Sequence, residues 1–220
     1  MTHGVLLPPP ATRPARRSQR ERSAETRDKL IAAAITCLHR TGYSATTITT
    51  VAEEAEVSRG AMTHQFPAKT DLMLAVVRAV VREDGRLHDA AVARLGAVGW
   101  MDQLPEIMWS VISRPAGIAV MEIMLASRSD PALATRLRAL QTAIDADARL
   151  WVDRRIRAAG LEPHPDTAAI HELYVAAVRG LAMEATFMDD DAGVHRSLRV
   201  LGDLMRHIYP AAAAGKGTAA

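Results

Sequence analysis

The chain has 220 residues, 49% of them apolar and 4% aromatic, with a formal net charge of +2. That length suits one large domain or a small one joined to a larger, and abundant Ala, Leu, Val, Met and Arg favour helix over sheet. A single cysteine, Cys37, excludes an intrachain disulfide framework, and no stretch approaches the ~20 apolar residues of a membrane span. Lying between Ile35 and Leu38, Cys37 reads as a small buried apolar group. Val5-Leu6-Leu7 before three prolines is too short for a signal-peptide core, so a soluble cytoplasmic protein is expected. Charge is unevenly spread. Residues 1–70 hold ten Lys/Arg against six Asp/Glu, and residues 71–220 hold seventeen against nineteen. A basic front on a mildly acidic remainder fits a nucleic-acid-contacting end.

Residues 1–22 combine four prolines with five arginines and little to bury, which predicts a disordered basic arm. It is either a solvated tail or an arm adding phosphate or minor-groove contacts. Ser23 can cap a first helix, with Leu30, Ile31, Ala34, Ile35 and Leu38 at helical spacing and Gly42 as its stop. Thr47 caps a second helix with Ile48, Val51, Ala52 and Ala55 inward. Ser58 caps a third, stopped by Phe66-Pro67. A fourth runs from about Lys69 to the Arg94 region, and a break at 96–99 follows. Two helices, Asp102 to Ser113 and Ala116 to Ser127, are separated at Pro115 and Gly117. Asp130-Pro131 opens the next, which Gly160 closes. Pro163 and Pro165 begin another, to about Met188. Asp189-Asp190-Asp191 caps a last one that ends at Tyr209-Pro210, and residues 211–220 read as a frayed tail. No alternating run argues for a strand. The expectation is an all-α chain with a helix-turn-helix head at 23–68 and a helical effector-binding and dimerisation domain at 69–210, joined through the long fourth helix.

Residues 44–72 hold the most specific signal. Two short helices with a three-residue break suit a helix-turn-helix, in which the first helix braces and the second offers small or polar groups to a DNA groove. In the third helix Ala61, Met62 and Phe66 can face inward, which leaves Ser58, Arg59, Gly60, Thr63, His64 and Gln65 outward. Gly60 lets backbone approach the duplex, Arg59 suits guanine O6/N7, and Gln65 suits adenine or a phosphate. Thr46, Thr47 and Lys69 offer phosphate donors at helix starts.

From Arg27 to Val77 the chain resembles the TetR family of bacterial transcription regulators. The resemblance rests on Gly42-Tyr43, Ala45-Thr46-Thr47, Val51-Ala52-Glu53-Glu54-Ala55, Val57-Ser58-Arg59-Gly60-Ala61-Met62, and Phe66-Pro67-Ala68-Lys69 with Asp71-Leu72. It implies a homodimer with one recognition helix in each of two major grooves, and a divergent C-terminal domain that binds a small molecule. Glu56 stands where the family's turn usually has Gly. Thr63 replaces a common phosphate-contacting Tyr, Gln65 an aromatic or His, and Ala68 a Ser-type cap. Which of Thr63, His64 and Gln65 touches DNA is left open.

In the last helix Val194, Leu198, Leu201, Met205 and Ile208 recur at steps of four, three, four and three. In the one before, Ile170, Tyr174, Ala177 and Leu181 share a face, with small Ala176 and Gly180 on another. Either face can be intrachain core; by resemblance the two helices pair with their symmetry mates, and these residues are the expected dimer interface. The methionine surplus suggests an adaptable apolar pocket formed by Met108, Trp109, Met121, Met124, Trp151, His171, Met183 and Phe187, taking a small apolar effector. Any unpaired charge among Glu122, His171, Glu172, Arg179 and Glu184 would select a ligand of opposite charge. No Asp or Glu precedes any of the eight His by three residues, and His-Glu-x-x-His, phosphate-cradling and Gly-x-Ser-x-Gly motifs are absent. No metal, cofactor or catalytic residue is therefore expected. The reading is a ligand-responsive homodimeric repressor bound to a (pseudo)palindromic operator; the alternative is a helix-turn-helix dimer without an effector, or one acting as an activator.

Overall fold

The computed structural model describes residues 19–188 and 190–210, and every regular element among them is a helix. The elements are α1 (Gln19–Ala45), α2 (Ile48–Glu54), α3 (Arg59–Gln65), α4 (Lys69–Asp102), α5 (Leu104–Ile112), α6 (Pro115–Ala126), α7 (Pro131–Ala158), α8 (Thr167–Glu184) and α9 (Asp191–Ile208). The basic arm up to residue 18 and the tail 211–220 lie outside the described residues. Arg20 and Arg22, expected in the arm, are already helical, and Ser23 sits inside α1 instead of capping it.

Local signals set most boundaries. Thr47 Oγ1 accepts from Thr50 N at 3.1 Å while Thr50 Oγ1 accepts from Thr47 N at 2.8 Å, a reciprocal cap that opens α2. Ser58 Oγ accepts from Ala61 N at 3.2 Å to open α3, and Asp130 Oδ1 from Leu133 N at 3.0 Å to open α7. Ala68 makes no such bond, although Asp71 Oδ2 accepts the Ala68 N–H at 3.1 Å. Two glycines interrupt long helices: Gly42 in α1 has φ +74° and Gly96 in α4 has φ +71°, conformations that cost a side-chain-bearing residue about 1–2 kcal/mol. α8 starts later than expected. Pro163 and Pro165 hold 161–166 out of helix, and that loop is tied down by His164 N donating to Tyr209 Oη at 3.1 Å.

The apolar interior forms two clusters. The first joins Leu30, Leu38, Val51, Met62, Phe66, Leu72 and Val76 of the first four helices to Ala119 and Ile123 of α6 and Leu133 of α7. Packing is thus continuous across residue 69, where the sequence suggested a domain boundary. The second cluster gathers Trp100 of α4, Met108 of α5, Ile156 of α7, Tyr174 and Val178 of α8, and Leu198 and Met205 of α9. Trp100 Nε1 donates to His88 Nδ1 at 3.0 Å, which leaves His88 Nε2 to carry the proton and face Asp84 Oδ1 at 3.3 Å. Among the described residues no single helix is long and apolar enough to cross a membrane.

Candidate functional site

The turn between α2 and α3 is closed by two backbone bonds, Glu56 N to Glu53 O at 3.1 Å and Val57 N to Ala52 O at 2.9 Å. Glu56 takes φ +53° to make it, so the residue standing in place of the family's usual glycine does occupy the left-handed region. Val57 then packs on the first core cluster. α3 is anchored from beneath by Met62 and Phe66, both essentially unexposed. Ser58, Arg59, Gly60, Thr63 and His64 are exposed. Nothing lies within 4 Å of where a Cβ would stand on Gly60, so the backbone at the start of α3 faces open space. Thr63 Oγ1 donates to Arg59 O at 3.0 Å.

Three expected contact residues are placed otherwise. Thr46 is fully buried, its hydroxyl donating to Gly42 O at 2.7 Å; it satisfies a carbonyl freed at the break in α1, and only its neighbour Thr47 is exposed. Gln65 turns away from solvent: its Nε2 donates to Ser23 Oγ at 2.7 Å and Ser23 O at 3.3 Å. Lys69 is half-buried, its Nζ donating to Tyr43 O at 2.6 Å and lying 3.7 Å from the Tyr43 ring centroid. Burial pulls its pKa below the usual lysine value, against the opposing pull of Asp130. Sequence reasoning missed the braces. Arg27 stacks on Phe66 at 4.4 Å and Ser23 holds Gln65, and no local pattern marks contacts between residues about forty apart.

The expected dimer seam is largely packed within the chain itself. Val194, Leu198 and Met205 of α9 and Tyr174 of α8 are buried in the chain's own second cluster, with Ile170, Leu181, Leu201 and Ile208 packed against it. Tyr174 Oη donates to Leu201 O at 2.7 Å, joining α8 to α9 inside one chain. Ala177 is half-buried, and of the expected interface residues only Gly180 is exposed. The exposed apolar strip lies a quarter-turn away: Leu173, Met183 and Phe187 with Ala176 and Gly180, and Val200 and Leu204 of α9.

The expected pocket residues are divided between the two apolar clusters and the surface. Met124 packs on the first cluster, whereas Met108, Trp109 and Trp151 belong to the second. Met121 is half-buried, and Met183 and Phe187 are exposed. His171 lines a recess of about 170 Å³ with Arg149, Val152, Pro163, Pro165 and Ala168. Burial first, and His88 second, hold its pKa below the usual histidine value. Arg179 is half-buried among the same helices, near Asp145 and Asp84 but with no hydrogen bond or ion pair to either among the described residues.

The comparisons agree with this geometry. The family model described as bacterial regulatory proteins, tetR family, matches residues 30–76. The HTH-type transcriptional regulator CymR of Pseudomonas putida is 43% identical over 82 residues, a stretch covering 37% of this chain and 40% of that relative. The crystal structure of the multidrug binding protein EbrR complexed with imidazole is 25% identical, covering 81% of this chain and 93% of EbrR, with TM-score 0.56. A TetR transcription regulator from Haloarcula marismortui shares the fold at TM-score 0.65 and 17% identity, covering 84% of this chain and 98% of its own. Residues 30–76, which hold the capped α2–turn–α3 unit, thus match the bacterial regulatory proteins of the tetR family, and the described helices beyond them share the fold of such regulators.

Proposed function

We propose that the chain is a homodimeric, ligand-responsive repressor that binds a (pseudo)palindromic operator and is released from it by a small apolar effector. The observation that carries this reading is α3: a capped helix held by Met62 and Phe66, with Arg59, Gly60, Thr63 and His64 open to a groove. Arg59 is the base-reading residue, because a guanidinium can donate twice to guanine O6/N7. Thr47 at the α2 start and Ser58 at the α3 start add phosphate contacts.

The dimer forms through α8 and α9. Leu173, Ala176, Gly180 and Met183 of α8 recur at steps of three, four and three, the spacing of one helical stripe, and exposed Phe187 follows just beyond the helix end. The absence of a side chain at Gly180 lets two helices approach closely. A self-complementary pairing of this stripe gives the two-fold symmetry that half-sites about 34–36 Å apart, or a multiple of it, require. The effector lodges in the body beside α7 and α8, where Arg179 is half-buried near Asp145 and Asp84 but makes no hydrogen bond or ion pair among the described residues, so an apolar effector that also carries a carboxylate is favoured. A protein described as multidrug binding among its structural neighbours supports an effector in this body.

The test is a selection of duplexes from a randomised pool with the full-length protein, followed by anisotropy titrations over a range of salt. A repressor of this kind enriches a palindrome, and binding that falls as one or more compounds raise the protein's melting temperature identifies effectors. Enrichment of no duplex above a neutral control protein overturns the DNA-binding reading. Palindrome binding that no stabilising compound relieves overturns the effector half alone.

A further inference from the structure

Tyr43 uses every polar group it has, each on a different helix. Its N–H donates to Glu122 Oε2 of α6 at 3.1 Å. Its carbonyl accepts from Lys69 Nζ, the first residue of α4, at 2.6 Å. Its hydroxyl donates to Asp130 Oδ2 at 3.2 Å, while Oδ1 of the same carboxylate caps α7. A second tie, Arg136 Nη1 to Asp71 Oδ1 at 2.8 Å, joins α7 to the start of α4 nearby. The end of α1 and the start of α4 are thereby fastened to the body at one residue.

Two glycines make that fastening stiff. At Gly42 a Cβ would stand 3.2 Å from Glu122 Oε2, and ψ 176° there turns the next N–H out of the helix's own ladder toward α6. At Gly117 a Cβ would fall 2.1 Å from Ile112 O. α5 and α6 therefore touch backbone to backbone at their 75° corner, with no slack between them. Glu122 lies about two turns beyond that corner, and α5 carries Met108 and Leu104 into the second core cluster. A displacement of the second cluster thus reaches Glu122 as a rigid movement instead of being absorbed in a loop.

We propose that Glu122 is a positioning residue for DNA binding: its carboxylate, acting on the Tyr43 N–H, holds the reading head in its binding pose and is where changes in the body enter the head. This inference rests on the DNA-binding reading above. A carboxylate oxygen on an N–H is among the stronger hydrogen bonds, and Glu122→Gln keeps an acceptor oxygen in the same place whereas Glu122→Ala leaves the Tyr43 N–H without one.

The experiment uses the full-length dimer and the duplex selected with the wild-type protein. Glu122→Ala should weaken duplex binding by about fivefold or more, a typical size for coupling between sites, and should speed amide exchange at Tyr43 while amides of α3 keep their protection. Glu122→Gln should restore both readouts most of the way. Unchanged duplex affinity in Glu122→Ala overturns the proposal, as does equal loss in the Ala and Gln variants. So does a loss fully accounted for by the fraction unfolded in thermal melts of the same samples. If the wild-type protein selects no duplex, the DNA-binding reading falls and the role of Glu122 falls with it; normal wild-type binding with an indifferent Glu122→Ala removes this role alone.

Discussion

Val200 and Leu201 are adjacent on α9 yet should respond oppositely to the same substitution. Val200 is 57% exposed and Leu204 51%, whereas Leu201 packs against the second core cluster and lends its carbonyl to Tyr174. Complete burial of a Val or Leu side chain stabilises by about 1.5–3 kcal/mol, so covering the exposed half at a dimer contact contributes about 1 kcal/mol. Two-fold symmetry counts each position twice, about 2 kcal/mol for Val200. Val200→Glu forfeits this and places two carboxylates where both lose water, at about 1 kcal/mol or more apiece. The sum is about 4 kcal/mol, or roughly a thousandfold rise in the dimer dissociation constant. Sedimentation velocity should show a folded monomer for Val200→Glu, with the helical circular dichroism of the parent. Leu201→Glu should instead lose cooperative folding, since its charge enters the chain's own core. A Val200→Glu protein still dimeric at low micromolar concentration, or a Leu201→Glu protein that is folded and monomeric, would refute the reasoning and return the interface to the seam through Leu201.

Glu56 takes φ +53° and, among the described residues, its side chain has no hydrogen-bond or ion-pair partner; Glu56→Gly should therefore stabilise by about 0.5–1 kcal/mol, read as a higher urea midpoint at constant slope. A lower midpoint would show that the turn is not strained. Arg59→Ala should weaken the selected duplex by roughly 1–3 kcal/mol and relax preference at one position of the site, which a repeated selection with the variant measures; an unchanged consensus removes Arg59 from the reading face. Stability should fall on the alkaline side. Burial pushes the phenols of Tyr43 and Tyr174 up from 10 to about 12, with Asp130 adding to the effect at Tyr43. The unfolded chain then releases these protons first, so the stabilisation is complete below pH 10 and declines between pH 10 and 12. Denaturant titrations across that range should show a gentler decline in Tyr43→Phe than in the parent; identical declines would mean that Tyr43 ionises as freely folded as unfolded.

What could be read from the residues alone was local. Thr47, Ser58 and Asp130 cap helices, Gly42 and Gly96 interrupt them, and Gly160 with φ +76° ends α7, because caps and left-handed glycines act within a few bonds of their own position. The helix-turn-helix was legible for the same reason: spacing alone puts Met62 and Phe66 on one side of α3 and Arg59, Gly60 and Thr63 on the other.

Which face of a long helix meets which neighbour was not legible. Val194, Leu198, Leu201, Met205 and Ile208 form a correct amphipathic stripe, but a stripe states only that something apolar covers it. The covering surface proves to be α5, α8 and the end of α4 in the same chain. Thr46, Gln65 and Lys69 likewise carry groups that fit a phosphate or a base equally well, and only the folded chain brings Gly42 O, Ser23 Oγ and Tyr43 O within reach to claim them. The residues themselves determined the helices, their ends and the reading head. The tertiary structure decided the partners, because burial and hydrogen bonding between distant segments depend on distances that periodicity does not contain.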